Sequence, residues 1–193
     1  MSLILASNSQ IRRSMLEQAG MEFEVRSPSF DEQRAKRGHR GDAEALALMM
    51  AEGKAASIPD EEGAWVVGSD SIVSVDGRRY SKPRNRDEAA AHLRAFSGRT
   101  MLLSSAVALA SHGRVDWSHV ETARLEVRLL SEVFVDRYLD AEWPAVGHCA
   151  GAFRMEGRGV TLFDRVVGSH FTILGMPLLP LLGALRDRGL VPS

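Results

Sequence analysis

The stretch that decides the fold runs from residue 65 to residue 73 and reads Trp-Val-Val-Gly-Ser-Asp-Ser-Ile-Val. Its short apolar run and its β-branched residues predict a buried strand. Small residues surround one acid, Asp70, and burying a carboxylate is unfavourable unless it has a partner or a function. Asp70 could bind a metal ion or activate water as a general base. The alternative is an acid at a strand end, solvated or capping a turn.

Charged candidates lie on both sides of this strand. Asp76-Gly77 predicts a tight turn and a hairpin, and Lys82-Pro83 follows it. Proline stiffens the backbone beside the cation, and a lysine in such a place could neutralise a β- or γ-phosphate. Most lysines are only solvated, so the alternative is a surface residue. Glu32 and Lys54 are weaker candidates by the same reasoning.

The start of the chain predicts a phosphate-binding element. Residues 3–5 predict a buried strand, 7–9 a polar turn, and 11–19 an amphipathic helix that Ser9 caps and Gly20 ends. Backbone N–H groups at a helix start bind anions readily. The side chains that would add hydrogen bonds there are Ser7, Ser9, Arg12 and Arg13. The alternative is an ordinary helix cap followed by two surface arginines.

The rest of the chain mixes helices with strands. The predicted helices span 43–57, 85–96, 131–143 and 177–188, and the predicted strands lie near 23–25, 100–110, 114–129, 160–163 and 171–174. Residues 31–41 are polar and rich in basic side chains, and they are predicted to form a loop. This order predicts an α/β or mixed α+β protein with a mixed sheet.

A third candidate region is the glycine-rich segment 147–159. Its glycines permit close approach of the backbone to a ligand, and Glu156 could accept hydrogen bonds from the edge of a base. His148 and Cys149 raise the alternatives of a zinc site or a thiol nucleophile. No second cysteine or spaced histidine pair completes a zinc-binding set, and a small packed residue is the simpler interpretation of Cys149.

Composition argues against several broad classes of protein. The chain has 193 residues and a net charge of −1, so no global positive field favours nucleic acid or an anionic membrane. Its one cysteine cannot form an internal disulfide, and no stretch reaches the ~20 apolar residues that span a bilayer. We therefore expect one cytoplasmic domain covering residues 1–193, without nucleic-acid or membrane partners.

Taken in order, these segments resemble the Maf-like nucleotide pyrophosphatase family, the septum formation inhibitor Maf type. The motifs that carry the resemblance are Leu5–Ser9 with Arg12, Arg13 and Leu16, then 68–73, Lys82-Pro83, 93–99, 147–159 and 175–178. The resemblance implies an inosine-triphosphatase-like fold, in which an elongated mixed sheet flanked by helices forms two lobes around a central cleft. It also implies metal-assisted hydrolysis, with Mg²⁺ or Mn²⁺, of a nucleoside triphosphate to monophosphate and pyrophosphate. Many members are homodimers.

The resemblance also assigns roles to individual residues. It implies that Asp70 is the proton acceptor, that Asp70 and Glu32 contact the metal, and that Lys54 and Lys82 line the site. Ser7, Ser9, Arg12 and Arg13 would hold the triphosphate, and Ile11, Ser71 and Glu156 would shape the base pocket.

Three of these positions bear on the preferred base. The subgroup that prefers dTTP and UTP has Arg, Thr and Gln where this chain has Ile11, Ser71 and Glu156. Glu156, the run 148–151 and Leu162-Phe163 are closer to the 7-methyl-GTP subgroup. That subgroup usually carries an aromatic residue at position 11, whereas Ile11 cannot stack on a base. Many members also have proline where this chain has Gln10.

Two rival functions remain open at this point. One is a non-catalytic nucleotide-binding regulator of cell division that uses the same site. The other is a phosphatase of a different fold with Asp70 as a covalent nucleophile. Enzymes of the haloacid-dehalogenase kind usually present Asp-x-Asp after a strand, and Asp70-Ser71-Ile72 lacks the second acid.

Overall fold

The structure is a computed structural model that describes residues 2–58 and 63–192. The helices are α1 (Gln10–Gln18), α2 (Glu32–Gly38), α3 (Ala43–Ala56), α4 (Arg86–Phe96), α5 (Glu132–Glu142), α6 (His170–Leu174) and α7 (Leu178–Asp187). The strands are β1 (Leu3–Ala6), β2 (Glu24–Arg26), β3 (Trp65–Val75), β4 (Arg78–Tyr80), β5 (Thr100–Ser111), β6 (Arg114–Val127) and β7 (Phe163–Val167). Short 3₁₀ helices lie at Ala145–His148 and Arg158–Leu162.

Within the described residues, the strands form one seven-stranded sheet in the order β2-β1-β3-β5-β6-β7, with β4 paired to β3. Strand β1 is parallel to both β2 and β3, whereas the pairs β3–β4 and β6–β7 are antiparallel. The prediction of a mixed sheet flanked by helices is therefore confirmed.

The chain divides into two compact units. Unit 1 comprises residues 1–71, 104–121 and 169–193, apart from those left undescribed. Unit 2 comprises residues 72–103 and 122–168. Strands β3, β5 and β6 each contribute residues to both units.

Unit 1 has hydrophobic layers on both faces of its sheet, because successive side chains of a strand point to opposite faces. Leu3 and Leu5 of β1 belong to a cluster with residues of α1, β3, β5 and α7. Ile4 and Ala6 belong to a second cluster with Ile58, Ala64 and Val66. Strand β3 is therefore covered on both sides, as its apolar sequence predicts.

Unit 2 is built around two helices that pack against each other. Helix α4 buries Ala89, Ala90, Leu93 and Phe96, and α5 buries Val135, Tyr138 and Leu139. The ring of Phe96 meets that of Tyr80 edge-to-face, with 4.7 Å between centroids. Both helices begin one residue after the predicted starts, because Asn85 and Ser131 act as caps and accept hydrogen bonds from backbone N–H groups of the first turn.

Three predictions of local structure are wrong, and each concerns a short helix. Residues 32–38 form α2 rather than a loop, because the Asp31 carboxylate accepts a hydrogen bond from the Arg34 N–H at 2.9 Å. Residues 170–174 form α6 rather than a strand. Thr172 and Ile173, which are adjacent in sequence, are both buried, a pattern that a strand with one buried face does not give.

The strand expected at 160–163 begins later than predicted. Residues 158–162 form a 3₁₀ helix, in which the Thr161 hydroxyl donates to the Arg158 carbonyl at 2.7 Å, and β7 starts at Phe163. Among the described residues, no helix combines the length and the apolar character needed to cross a membrane.

Candidate active site

Asp70 lies inside β3 and is only 8% exposed. Its Oδ1 atom lies 2.7 Å from Nζ of Lys54, which is itself 6% exposed. The same ammonium lies 2.9 Å from Oε1 of Glu32. One buried cation therefore bridges two carboxylates, and three residues that the sequence analysis singled out come together in unit 1.

The close packing of α3 on β3 brings Lys54 to Asp70. A Cβ atom at Gly68 would lie 2.2 Å from the Ala51 carbonyl oxygen and 2.5 Å from the Ala55 nitrogen, so only glycine permits this approach. Side chains two apart on a strand share a face, so Asp70 points to the same side as Gly68 would. Lys54 sits in the helical turn that faces this surface.

Glu32 is the first residue of α2, where the helix dipole favours a negative charge. Its Oε2 atom also lies 3.3 Å from Lys36, one helical turn away. Burial raises the pKa of Glu32, but hydrogen bonding and attraction from Lys54, aided by Lys36, outweigh burial and leave that pKa below its ordinary value. Glu32 is therefore ionised at neutral pH.

Arg12, at the start of α1, makes three hydrogen bonds to the protein. Its Nε donates to the Gly175 carbonyl at 2.9 Å, Nη1 to the Ser69 carbonyl at 2.9 Å, and Nη2 to the Ser71 hydroxyl at 3.0 Å. Burial lowers the pKa of the guanidinium, while attraction to Asp70 and Glu32 opposes that shift. Arg12 is thus within electrostatic reach of both carboxylates.

The predicted phosphate-binding turn lies between β1 and α1. Ser7 is buried, and its hydroxyl accepts a hydrogen bond from the Ser9 N–H at 3.2 Å. Ser9 occupies the N-cap position without making a side-chain capping bond, and the first turn of α1 holds no acid. Its first N–H groups lack intrahelical partners, as at any helix start, so this end of α1 can accept an anion.

Two other residues predicted near this turn differ in exposure. Arg13 points to the surface, where its Nε lies 2.7 Å from Glu17 and half of its side chain is exposed. Ile11 is half-buried. Arg13 therefore reaches an anion only by leaving Glu17.

A network of serines connects Arg12 to the neighbouring strands, and the sequence analysis missed most of it. The Ser71 hydroxyl lies 2.8 Å from that of Ser105 and 3.1 Å from the Gly175 carbonyl. The Ser69 hydroxyl lies within hydrogen-bonding distance of the carbonyls of Ala106 and Gly175. The sequence does show a serine in the middle of the apolar strand β5. Because a buried hydroxyl needs a hydrogen-bond partner, that serine could have indicated this network.

Lys82 and Glu156 belong to unit 2, and both side chains are exposed. Burial raises the pKa of the Cys149 thiol, Glu156 adds to that effect, and Lys82 opposes it. The two charged residues therefore lie within electrostatic range of one thiol. A thiol whose pKa is raised is a poor nucleophile at neutral pH, which argues against the thiol alternative.

The segment that carries Glu156 is tied to α5. Arg154 donates to Glu142 through Nε at 3.1 Å and Nη2 at 2.8 Å, and Glu142 is only 5% exposed. The Gly157 N–H also donates to the Arg154 carbonyl, at 3.1 Å. These bonds fix the backbone on both sides of Glu156.

Comparison with known proteins identifies the family to which this chain is similar. Residues 2–188 match the family model described as "Maf-like protein". A "7-methyl-GTP pyrophosphatase" from Rhizobium meliloti is 42% identical over 195 residues, which cover 99% of this chain and 98% of that protein. A "Nucleoside triphosphate pyrophosphatase" from Nitrobacter winogradskyi is 42% identical over 191 residues, covering 98% and 95% of the two chains.

A looser likeness exists to the crystal structure of a nucleoside-triphosphatase / dITP/XTP pyrophosphatase from Mycobacterium abscessus. Its TM-score is 0.39 with 20% identity, over 66% of this chain and 73% of that one. The sequence matches, which extend over almost the whole chain, are what identify the family. This chain belongs to the Maf-like protein family.

Proposed function

We propose that this protein is a nucleoside triphosphate pyrophosphatase that hydrolyses its substrate between the α- and β-phosphates. The observation that carries the proposal is Asp70, a carboxylate enclosed in an apolar strand and bonded to Lys54. Burying such an acid is unfavourable in free energy, and a role in packing alone does not explain it. The names of the Rhizobium and Nitrobacter relatives support the same activity.

In the proposed mechanism Asp70 accepts a proton from water, which attacks the α-phosphorus as pyrophosphate leaves. Lys54 fixes the carboxylate through its 2.7 Å contact. A divalent cation near this base would make a proton of water easier to remove, and we propose that the enzyme uses one.

The residues present fit such a cation. Mg²⁺ binds oxygen ligands and commonly uses one or two carboxylates together with waters and substrate phosphates. Asp70 and Glu32 both reach the same Nζ atom of Lys54, so their oxygens already converge on one positive charge. We assign these two carboxylates to Mg²⁺ or Mn²⁺. When bound, the ion would supply charge neutralisation and a lower pKa for water.

The start of α1 is the proposed triphosphate site. The N–H groups of its first turn, which have no intrahelical partners, and the side chains of Ser7 and Ser9 would hold phosphate oxygens, since a helix start carries partial positive charge. Arg13 would join them by exchanging Glu17 for a phosphate. Because Arg13 is exposed, that exchange requires no repacking.

The remaining assigned roles concern pyrophosphate and the base. Lys82 is proposed to offset charge on the departing pyrophosphate, and Glu156 to read the edge of the base. Ile11 and Ser71 are proposed to shape the base pocket. A methylated guanine is the proposed preference, because Glu156 replaces the Gln of the dTTP/UTP subgroup and relatives named 7-methyl-GTP pyrophosphatase align over the whole chain.

A panel of nucleoside triphosphates tests this function. The panel includes methylated guanine nucleotides, and each reaction with Mg²⁺ or Mn²⁺ is assayed separately for pyrophosphate and orthophosphate. We expect pyrophosphate and the monophosphate in equal amounts. Orthophosphate as the direct product would exclude α–β cleavage. Tight nucleotide binding without product release would favour a non-catalytic regulator instead.

A further inference from the structure

Arg12 makes contacts that a phosphate-binding arginine does not make. All three of its guanidinium nitrogens donate to atoms of the protein itself, at 2.9, 2.9 and 3.0 Å, and the residue is 9% exposed. An arginine that binds phosphate presents a pair of parallel N–H groups to the ligand. In Arg12 one N–H of each nitrogen is already bonded to the protein, and little of the residue is exposed to solvent.

The acceptors of these bonds flank Asp70. Nη1 holds the carbonyl of Ser69, directly before Asp70, and Nη2 holds the hydroxyl of Ser71, directly after it. On a strand, the side chains of Ser69 and Ser71 point to the face opposite that of Asp70. Arg12 therefore holds the backbone of β3 on one face of the strand, while Lys54 contacts the Asp70 carboxylate on the other face.

The third acceptor locks this arrangement to α6. The Gly175 carbonyl accepts from Nε of Arg12 and lies within hydrogen-bonding distance of the hydroxyls of Ser69 and Ser71, so one oxygen connects α1 with β3. Gly175 has a φ of +109°, and a Cβ atom there would lie 3.2 Å from the Ser71 hydroxyl and 3.5 Å from Nη2 of Arg12. A side chain at position 175 would therefore press on the Ser71 hydroxyl and reach the guanidinium.

We propose that Arg12 is a positioning residue that holds β3 on both sides of Asp70, and that it does not contact the triphosphate. This inference rests on the proposed function, because it concerns how the base of that reaction is aimed. It replaces the role in phosphate binding that the sequence resemblance implied for Arg12. The anion-binding role at the start of α1 then falls to the backbone N–H groups, the serines and Arg13.

The test is Arg12→Lys, with Arg13→Lys as the matched control on the same helix turn. Lysine keeps the charge but cannot make three bonds in fixed directions. For Arg12→Lys we expect kcat to fall by about 100-fold, as small misplacement of a reacting group does. KM and the dissociation constant for pyrophosphate, measured by calorimetry, should stay within about twofold, because no phosphate contact is lost. Rates are normalised to folded protein, so that a purely structural defect leaves kcat unchanged.

The control variant should show the opposite pattern of changes in kcat and KM. Arg13→Lys should raise KM and weaken pyrophosphate binding with little change in kcat. If Arg12→Lys instead weakened pyrophosphate binding by tenfold or more at unchanged kcat, Arg12 would be a phosphate ligand and the proposal would be wrong. If it changed neither quantity, the positioning role would be equally wrong.

A second variant covers the case in which Arg12→Lys does not fold. Ser71→Ala removes the acceptor of Nη2 and adds no charge. It should lower kcat and leave pyrophosphate affinity unchanged, and the double variant should be no slower than Arg12→Lys alone, since coupled residues are not additive. A wild-type kcat in Ser71→Ala would overturn the proposal. Absence of turnover in the wild-type protein would defeat the proposed function alone, because nucleotide affinity of the Arg12 variants still separates positioning from phosphate binding.

Discussion

Lys54 is the residue on which the electrostatics of unit 1 depend. The residue is 6% exposed, and its ammonium contacts the carboxylates of both Asp70 and Glu32. Asp70 stands out in the sequence because it interrupts an apolar run. Its partner Lys54 lies 16 residues earlier in a different element, and no local pattern encodes that pairing. The sequence therefore predicts the acid firmly and its partners only weakly.

Replacing Lys54 with methionine should destabilise the protein strongly. The substitution keeps the length of the side chain but leaves Asp70 buried without its cation, and breaking a buried pair costs about 3–5 kcal/mol. Lys36→Met is the matched control, because Lys36 contacts the same Glu32 from the surface and should cost less than about 1 kcal/mol. Urea unfolding at pH 7 measures both free energies, and equal losses would show that the contact between Lys54 and Asp70 contributes nothing.

At the scale of elements, helices and strands with strong caps or long periodic patterns could be predicted. Helices α3, α4 and α5 start within one residue of the predicted positions, because each cap side chain accepts a hydrogen bond from its first turn. Helix α2 has no buried residue, so hydrophobic periodicity gave no sign of it. Helix α6 is a single turn, too short for a period to emerge.

The contact between α3 and β3 gives a prediction about Gly68. An alanine Cβ there would lie 2.2 Å from the Ala51 carbonyl oxygen, which forces the helix away from the strand. We expect Gly68→Ala to lower the free energy of unfolding by about 1–3 kcal/mol and to slow turnover, since Lys54 moves with α3. Gly38→Ala in α2 is the control, because a Cβ atom there meets nothing within 4 Å. Denaturant unfolding with parallel rate measurements checks both, and a fully stable Gly68→Ala would contradict this packing.

Helix α4 gives a prediction about pH. Among the described residues, His92 Nδ1 is the buried side-chain atom that has no hydrogen-bond partner. Burial lowers the pKa of His92 below its ordinary value of 6.5, with Glu88 opposing and Arg78 adding to the shift. At pH values between the lowered pKa of the folded protein and 6.5, the unfolded chain binds more protons than the folded one. Stability therefore falls as the pH drops below 6.5.

His92→Phe should remove this loss. Phenylalanine keeps a ring beside Tyr80 and Phe96 but has no proton to gain. The wild-type protein should lose more stability than the variant when urea unfolding at pH 5 is compared with pH 8. An identical loss in both proteins would show that His92 does not titrate differently on folding.

At the scale of the whole molecule, the residues with proposed roles are supported by two different kinds of argument. Arg12, Glu32, Lys54 and Asp70 belong to unit 1, where Lys54 contacts both carboxylates and Arg12 bonds to the strand that carries Asp70. Lys82 and Glu156 belong to unit 2, and their roles come from the sequence resemblance. The contacts in unit 1 therefore support the proposed hydrolysis of the phosphate chain, whereas the proposed base preference depends on a prediction from sequence.

Glu156→Gln tests that prediction. Glutamine presents a donor where glutamate only accepts, so the ranking of bases should change by about tenfold or more in kcat/KM. The affinity for pyrophosphate, which has no base, should stay the same. Arg158→Gln is the control, because it is an exposed residue of the same segment. The nucleotide panel described above gives the ranking, and an unchanged order in Glu156→Gln would remove this residue from base recognition.

The most direct test of the central claim, that the Asp70 carboxylate drives α–β hydrolysis, is the rate of pyrophosphate release by Asp70→Asn. Asparagine keeps the size of the side chain and an oxygen for Lys54, but it cannot accept the proton of water. We predict a loss of at least about 100-fold in kcat, the lower range for a general base, in a protein that still folds and binds nucleotide. Turnover at the wild-type rate would contradict the account, because the proposed reaction would then have no base.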